Sequence, residues 1–480
     1  MITVIGLGVE KGDLSRRGEE LILAAAKAGQ PIVVRTAFTK SYETVRELGV
    51  PHICLDSVYE SSRNFATLAK NLAKAVADSG ENAVYLVDGA PTEDNSVKAL
   101  LKRTRGKLEM VDGVSKITAL VKAANFKSCS YTAVSAYELY EKAAGQLTLP
   151  LIVYDVDDSG LASDVKLILG DLFGEETQVS FIRQGKAKKI ALFEADRQKS
   201  YDYTSAIAIE EMDLLEKQRF TMDDLKEIVV RLRRPDGCPW DRVQTPDSIK
   251  MSVVEEAYEL VDAIDQKDDD KVLEEAGDIL LQAVFHAVMS EETGAFNLTD
   301  VLTGICQKLI FRHSHVFGED KATDGASALS VWEKNKMTEK HHTTFGAAVE
   351  DVPKCFPAAM RAQKVGKRAA KAGMDFATVE DAATRLKEEI AEFFEAYQKG
   401  DKTGAEKELG DVLFAAVNVG RMADCDCEKA LKESTERFAN RFVLAEKLAL
   451  ADGKTVTELS ESEWEVYYQA AKKKILAESI

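Results

Sequence analysis

Two acidic blocks in this chain of 480 residues share one spacing. Glu255-Glu256-Ala257-Tyr258-Glu259 is followed, after fifteen residues, by Glu275-Ala276-Gly277-Asp278. The pattern returns at an offset of 133 as Glu388-Glu389-Ile390-Ala391-Glu392 and Glu408-Leu409-Gly410-Asp411. Residues three apart share a helix face, so Glu256 meets Glu259, and Glu275 meets Asp278. Glu389 with Glu392 and Glu408 with Asp411 repeat the arrangement. The polar stretch Asp265–Asp270 reads as a turn, which makes the two helices antiparallel neighbours. Carboxylates facing each other across such a pair repel unless a cation lies between them. A histidine-free, all-oxygen donor set selects a hard ion, Mg²⁺ or Mn²⁺. One such cluster alone is more often a solvated helix face. Recurrence at identical spacing favours a site. So do Gly277 and Gly410, since glycine inside a helix costs about 1 kcal/mol relative to alanine, which points to close approach by a helix or a ligand.

Basic pairs follow each acidic block. Lys308 and Arg312 lie four apart, as do Arg437 and Arg441, at an offset of 129. Trp332-Glu333 and Trp464-Glu465 come next, at an offset of 132. Four blocks in one order at nearly constant offset describe an internal duplication. A cationic pair beside cation-holding acids suits a polyphosphate, whose oxygens it neutralises. An intrahelical salt-bridge partner or a solvated face is the alternative for each pair. Trp240, Trp332 and Trp464 could stack on a base, although packing is the commoner use of a tryptophan.

The elements that must position these residues differ along the chain. Up to about residue 215, short β-branched runs alternate with helical stretches. Expected strands are Thr3–Ile5, Ile32–Val34, Ala83–Val87, Leu108–Val111, Leu151–Tyr154, Val179–Ile182 and Ile190–Phe193, with helical spacing in Arg17–Lys27 and Phe65–Asp78. That alternation suggests parallel sheets covered by helices. From about Asp213 the Glu/Lys/Ala/Leu-rich stretches are all helical, broken at Gly237–Asp241 and between Phe317 and Pro357. The reading is a multidomain chain: an α/β domain over 1–215, a first all-α domain over 216–320, and a linker with a second all-α domain over 321–480.

Composition bounds the rest. With 63 basic and 81 acidic residues the net charge is −18, which disfavours nucleic-acid backbones and anionic membranes. No apolar run is long enough to span a bilayer. The chain enters a strand-like run at Met1, so no signal peptide is expected. Seven scattered cysteines without a CxxC read as reduced thiols, and the expected location is the cytoplasm.

The C-terminal 265 residues resemble the MazG family of nucleoside triphosphate pyrophosphohydrolases. The resemblance rests on GCPWDRVQT (Gly237–Thr245), VVEEAYEL, EEAGDILLQAVF, KLIFRHSHVFG (Lys308–Gly318), AMRAQKVGKRA, KEEIAEFFEA and EKELGDVLFAAVN. It implies all-α helical bundles that dimerise and hydrolyse NTP to NMP and pyrophosphate with Mg²⁺. Carried over by motif, it makes Glu256, Glu259, Glu275 and Asp278 the metal ligands of the first copy. Glu389, Glu392, Glu408 and Asp411 are those of the second. Glu255 and Glu388 become base or supporting candidates, and Lys308, Arg312, Arg437 and Arg441 the triphosphate clamp. The second copy departs from the family at Thr435-Glu436-Arg437-Phe438.

Residues 1–210 resemble the tetrapyrrole methylase family, which binds S-adenosylmethionine between two α/β subdomains. The carriers are ITVIGLG, AVYLVDGAPTED (Ala83–Asp94) and EMVDGVSKITAL (Glu109–Leu120). By that resemblance Gly6, Gly8, Asp88 and Ser115 are cofactor contacts. All three of the family's glycine-rich turns are altered here, so either methyl transfer or a domain kept for binding or scaffolding fits. Three functions follow: a Mg²⁺-dependent NTP pyrophosphohydrolase, a methyltransferase whose helical half dimerises, or a non-catalytic nucleotide-binding regulator.

Overall fold

The computed structural model describes residues 1–62, 65–142, 147–339 and 344–478. Two compact units divide the chain, Met1–Val301 and Leu302–Ile480, the division falling within the helix Leu298–Arg312.

The first unit begins with a five-stranded sheet of β1 (Ile2–Gly6), β2 (Ile32–Val34), β3 (Ile53–Cys54), β4 (Val84–Val87) and β5 (Leu108–Val111). Its order is β3-β2-β4-β1-β5 and every pairing is parallel. Val33, Tyr85 and Val87 face one cluster of core residues, and Val34, Val84 and Leu86 face another. Burial on both faces explains why these strands are unbroken apolar runs. The second sheet holds β6 (Thr132–Ser135), β7 (Leu151–Tyr154), β8 (Gln178–Arg183), β9 (Lys186–Ala191) and β10 (Ala206–Ile209), ordered β6-β7-β10-β8-β9. Only β6 and β7 run parallel; the other pairings are antiparallel. The purely parallel expectation therefore fails for this half.

The last expected strand lies earlier than Ile190–Phe193, because β8 and β9 form a hairpin. Its Gln184-Gly185 turn has φ of 50° and 70°, the left-handed pair that a tight hairpin requires. The lysines of β9 are exposed on an edge strand, which hides the strand from a search for apolar runs.

Three longer helices follow in the first unit, Met222–Arg233, Ser252–Gln266 and Asp269–Glu292, with the short helix Pro246–Ile249 between the first two. Thr221 opens the first with a capping box to Asp224. Val229, Ile249, Val284, Phe285, Val288 and Leu298 form one buried cluster among them.

The second unit is all helical among the described residues, apart from one short 3₁₀ turn. Its long helices are Gly325–Glu339, Ala358–Ala370, Val379–Gln398, Lys402–Met422, Cys427–Ala451 and Glu461–Glu478. The stretch read as a break after Phe317 contains the first of these. Asp324 starts it by accepting from the Ser327 amide at 2.8 Å. No helix of the described residues is long and apolar enough to cross a membrane, and all seven cysteines are free.

Candidate metal centre

The first acidic hairpin is built by local chemistry. Helix Ser252–Gln266 ends where Lys267 turns left-handed at φ 57°. Asp268 then caps the next helix, accepting from the Lys271 amide at 3.2 Å. This tight turn returns the chain antiparallel and places Glu275 opposite Glu256 and Glu259. Oxygens of these three carboxylates lie within 4.8 Å of one another. Asp278 joins them electrostatically.

Nothing cationic offsets this cluster: among the described residues no lysine or arginine pairs with Glu256, Glu259, Glu275 or Asp278. The consequence is visible in their protonation. Loss of hydration, then Asp278 and Glu259, push the Glu256 carboxyl above its ordinary value. Loss of hydration, then Glu259, Glu274 and Asp278, do the same to Glu275. Gln282 hydrogen-bonds toward Glu256, and its own Oε1 is buried without a partner. The donor set fits a hard divalent cation: converging carboxylates, unbalanced charge and a spare amide oxygen. Gln282 escaped the sequence reading. It lies four residues after Asp278, a helical spacing that could have shown it.

The second hairpin has the same frame. Thr378 caps Val379–Gln398, accepting from the Asp381 amide at 3.1 Å. Gly400 turns at φ 71°, and Asp401 caps Lys402–Met422 through the Gly404 amide at 3.0 Å. Glu389, Glu408 and Asp411 have oxygens within 4.8 Å of one another. Here, however, the acids carry their own counter-ions. Arg385 reaches Glu388 at 3.0 Å, Glu389 at 2.5 Å and Glu392 at 3.7 Å. Lys407 reaches Glu408 at 3.0 Å and Asp411 at 3.5 Å. At the matching first-copy positions stand Ser252 and Glu274. Glu392 lies outside the tight trio but shares Arg385 with it.

Gly277 and Gly410 do not serve close helix packing: a Cβ at either would meet nothing within 4 Å. Of the candidate bases, Glu255 is exposed and makes no hydrogen bond or ion pair among the described residues, and Glu388 is tied to Arg385.

The basic pairs are placed unequally. Lys308 and Arg312 belong to the second unit. Lys308 is exposed and unpaired among the described residues. Arg312 is 7% exposed, bonded through Nε to Glu339 at 2.6 Å, and lies 5.2 Å from the Trp332 ring centre. Arg437 approaches Glu433 at 3.7 Å, and Arg441 lies over Tyr468 at 6.0 Å. Trp464 stacks on Phe442 at 5.2 Å, and Trp240 is exposed. Two of the three tryptophans thus hold helices together.

The glycine-rich turns of the first unit converge. A Cβ on Gly6 would meet the Gly89 carbonyl oxygen at 2.5 Å and the Gly113 nitrogen at 2.6 Å, so only glycine lets these backbones meet. Gly8, at φ 78°, bridges to Gly89. Asp88 pairs with Arg35 at 3.0 Å, and Arg35 also reaches Asp94 at 2.7 Å. Burial opposes ionisation of Asp94, but Arg35 and Ser96 hold its carboxyl below the ordinary value. Ser115 caps the helix Lys116–Ala124 and donates to Glu93, which also accepts from the Lys116 amide at 2.9 Å. Cavities of about 450 and 370 Å³ adjoin these turns, and both are lined by Asp88 and Lys116.

A family model for the MazG nucleotide pyrophosphohydrolase domain matches residues 244–317 and 377–442. The nucleoside triphosphate pyrophosphohydrolase of Escherichia coli strain K12 is 39% identical over 255 residues, covering 52% of this chain and 97% of that protein. The Thermotoga maritima nucleoside triphosphate pyrophosphohydrolase/pyrophosphatase MazG is 38% identical over 250 residues, covering 52% and 95%. The uncharacterised protein YabN of Bacillus subtilis strain 168 is 31% identical over 489 residues, covering 98% of each chain. Among solved structures, a uroporphyrin-III C-methyl transferase from Thermus thermophilus complexed with S-adenyl homocysteine aligns with 44% of this chain and 97% of its own. Its identity is 16% and its TM-score 0.32.

Proposed function

The chain belongs to the MazG nucleotide pyrophosphohydrolase family, and from that premise we propose that it hydrolyses nucleoside triphosphates to the monophosphate and pyrophosphate with Mg²⁺ or Mn²⁺. The observation that carries this reading is the convergence of Glu256, Glu259 and Glu275 without any counter-ion. These residues and Asp278 would hold the cation in the first copy; Glu389, Glu392, Glu408 and Asp411 are the second set. When bound, the cation supplies positive charge for the phosphate oxygens and acidifies a water.

The chain's own residues do the rest. A carboxylate beside the water, Glu255 or Glu388, takes its proton as the oxygen attacks the α-phosphorus. The bond from that phosphorus to the bridging oxygen breaks, and pyrophosphate leaves with the electron pair. Lys308 and Arg437 are exposed cations, and Arg441 a half-buried one, suited to the departing charge. Arg312 completes the proposed clamp by motif; its Nε is engaged by Glu339.

Exposed Ile305, Leu309, Ile310, Leu431, Phe438 and Phe442 support a homodimer through the helical domains. We read the domains as 1–215, 216–320 and 321–480, the protein as cytoplasmic, and the first domain as tetrapyrrole methylase-like. The turns around Gly6, Gly8, Asp88 and Ser115 favour S-adenosylmethionine as a second ligand. Retention of the labelled cofactor by the full chain tests that.

The test of the main reading is pyrophosphate release from mixed NTPs with Mg²⁺. Glu256→Gln combined with Glu389→Gln should lower it at least about 100-fold. Undiminished release from the double variant refutes the proposal.

A further inference from the structure

In the first unit, charged side chains gather just past the carboxyl ends of the strands. Arg35 follows β2, Asp56 is close behind β3, Asp88 follows β4, and Asp155 and Asp157 follow β7. Ligands of open α/β sheets lie at such ends. Here they line the cavity of about 370 Å³, within the range of about 300–1,000 Å³ typical of small-molecule sites. Six carboxylates face it against two cations, Arg35 and Lys116. Both cations already have carboxylate partners: Arg35 holds Asp88 and Asp94, and Lys116 holds Asp155 at 3.2 Å.

The walls satisfy two of the remaining acids. Asp56 accepts from the Thr36 hydroxyl at 2.5 Å and from the Ala37 amide at 3.2 Å. Glu93 accepts from Ser115 and from the amides of Lys116 and Ala90. Asp157 differs. Its two oxygens take the Tyr137 hydroxyl at 2.7 and 2.8 Å, and no cation pairs with it among the described residues. Burial pushes its carboxyl above the ordinary value; the Tyr137 hydroxyl pulls the other way, and Asp158 and Asp155 add to the push. Elsewhere in the lining, the Tyr59 hydroxyl oxygen is buried with no hydrogen-bond partner. A buried hydroxyl without a partner and a half-buried carboxylate without a cation are both costly. Each is a place where a polar group of a ligand gains most.

We propose that this cavity binds an extended organic amine in its ammonium form, with a charged nitrogen on Asp157 and a second polar group on the Tyr59 hydroxyl. The charge balance selects against the alternatives. A polycarboxylate or a phosphate would be repelled by the excess of acids, and a neutral ligand would leave Asp157 without a cation. A bare metal ion needs carboxylates that converge on one point. Among the described residues, trios within 4.8 Å occur only in the two helical hairpins. The acids here are spread over the walls instead, which suits a cation with length. Tyr137 and Tyr203 add ring surface to the lining, and aromatic faces attract ammonium groups. The inference is independent of the pyrophosphohydrolase reading, since no residue of either acidic hairpin takes part.

The test is calorimetric binding of putrescine, spermidine, agmatine and tyramine to the full chain. Physiological salt and excess Mg²⁺ suppress binding of these cations to the acidic hairpins and the anionic surface. At least one amine should bind at a single site, and Asp157→Asn should weaken it about tenfold or more, as expected for a hydrogen bond to a charged group. Tyr59→Phe removes one oxygen that no other residue holds. It should weaken the same amine about threefold, and it decides the matter if thermal melts show that Asp157→Asn is unfolded. Uroporphyrin, a polycarboxylate, should not displace the amine. If no amine binds, if the folded variants bind as the unaltered chain does, or if uroporphyrin competes, the proposal is refuted. S-adenosylmethionine is itself a cation. Should the amines displace it and Asp157→Asn abolish its retention, the cavity is the cofactor's own and the amine site is refuted as well.

Discussion

The unequal charge of the two acidic clusters makes a quantitative prediction about cation binding. Arg385 contacts three carboxylates and Lys407 two. An ion held by those carboxylates would have each cationic head about 5 Å away. In water, a unit charge at about that distance from a divalent ion, with physiological salt roughly halving the effect, weakens binding by about fivefold. The two together weaken it by about twentyfold. The first cluster, with Ser252 and Glu274 at the matching positions, carries no such penalty. Titration of the metal-free chain with Mn²⁺, read by the loss of the free-ion paramagnetic resonance signal, should show one tight class of sites and a second class about twentyfold weaker. Glu256→Gln should remove the tight class alone. Arg385→Ser with Lys407→Glu should bring the weak class up to the tight one. Two classes of equal affinity in the unaltered chain, or no gain in the double variant, would refute the electrostatic argument.

Four more outcomes follow from single features. Because Glu256 and Glu275 are pushed above the ordinary value of 4.5, the folded state binds more protons there than the unfolded one just above that pH. Their contribution therefore falls as pH rises from about 4.5 through the raised values. Thermal melts in a chelator should show this decline relative to a Glu256→Gln/Glu275→Gln variant, and excess Mg²⁺ should cancel it. Glu339→Gln leaves buried Arg312 without its carboxylate and should cost about 1–3 kcal/mol in urea unfolding of the second unit; no change would mean that the pair is idle. Gly6→Ala drives a methyl into two backbones that cannot yield. It should destabilise the first sheet by about 1–3 kcal/mol, seen as faster proteolysis of the N-terminal half. Gly277→Ala enters open space and should stabilise its helix by about 1 kcal/mol in thermal melts; lost pyrophosphate release in that variant would show that a ligand or a second subunit comes close there.

The acidic sites were legible because their spacing is a property of one helix. Glu256 and Glu259 lie three apart, and a hairpin turn marked by Lys267 and Asp268 suffices to bring in Glu275. The strands of the first sheet were legible for a related reason: burial on both faces writes itself as Ile32–Val34 and Val84–Val87. What escaped depends on partners far along the chain. β10 (Ala206–Ile209) becomes a central strand only by inserting between β7 and β8, and β9 is an edge whose outer face needs no apolar residues. Arg312 shows the same limit. Its spacing from Lys308 suggests a clamp, but its guanidinium faces Glu339 and Trp332, which lie on a later helix. Arg385 lies three, four and seven residues before Glu388, Glu389 and Glu392, so its role could have been read from the helix alone.

The duplication itself explains why such differences carry meaning. Two copies of one hairpin start with the same demands on packing and charge, so each departure marks a demand that has changed. In the first copy the core positions Phe285 and Val288 stay apolar while the acids lose every counter-ion. In the second the acids gain Arg385 and Lys407, while Asn418 and Arg421 enter the core beside a cavity. Drift alone would scatter polar residues over the surface, where they cost little. The four changes to Arg385, Lys407, Asn418 and Arg421 fall instead at the core and at the acids, the two places where an unmatched polar group or charge is most expensive. The copies thus differ in two respects: among the described residues the first leaves its acids without a counter-ion, while the second pairs them with Arg385 and Lys407 and sets Asn418 and Arg421 where the first has Phe285 and Val288.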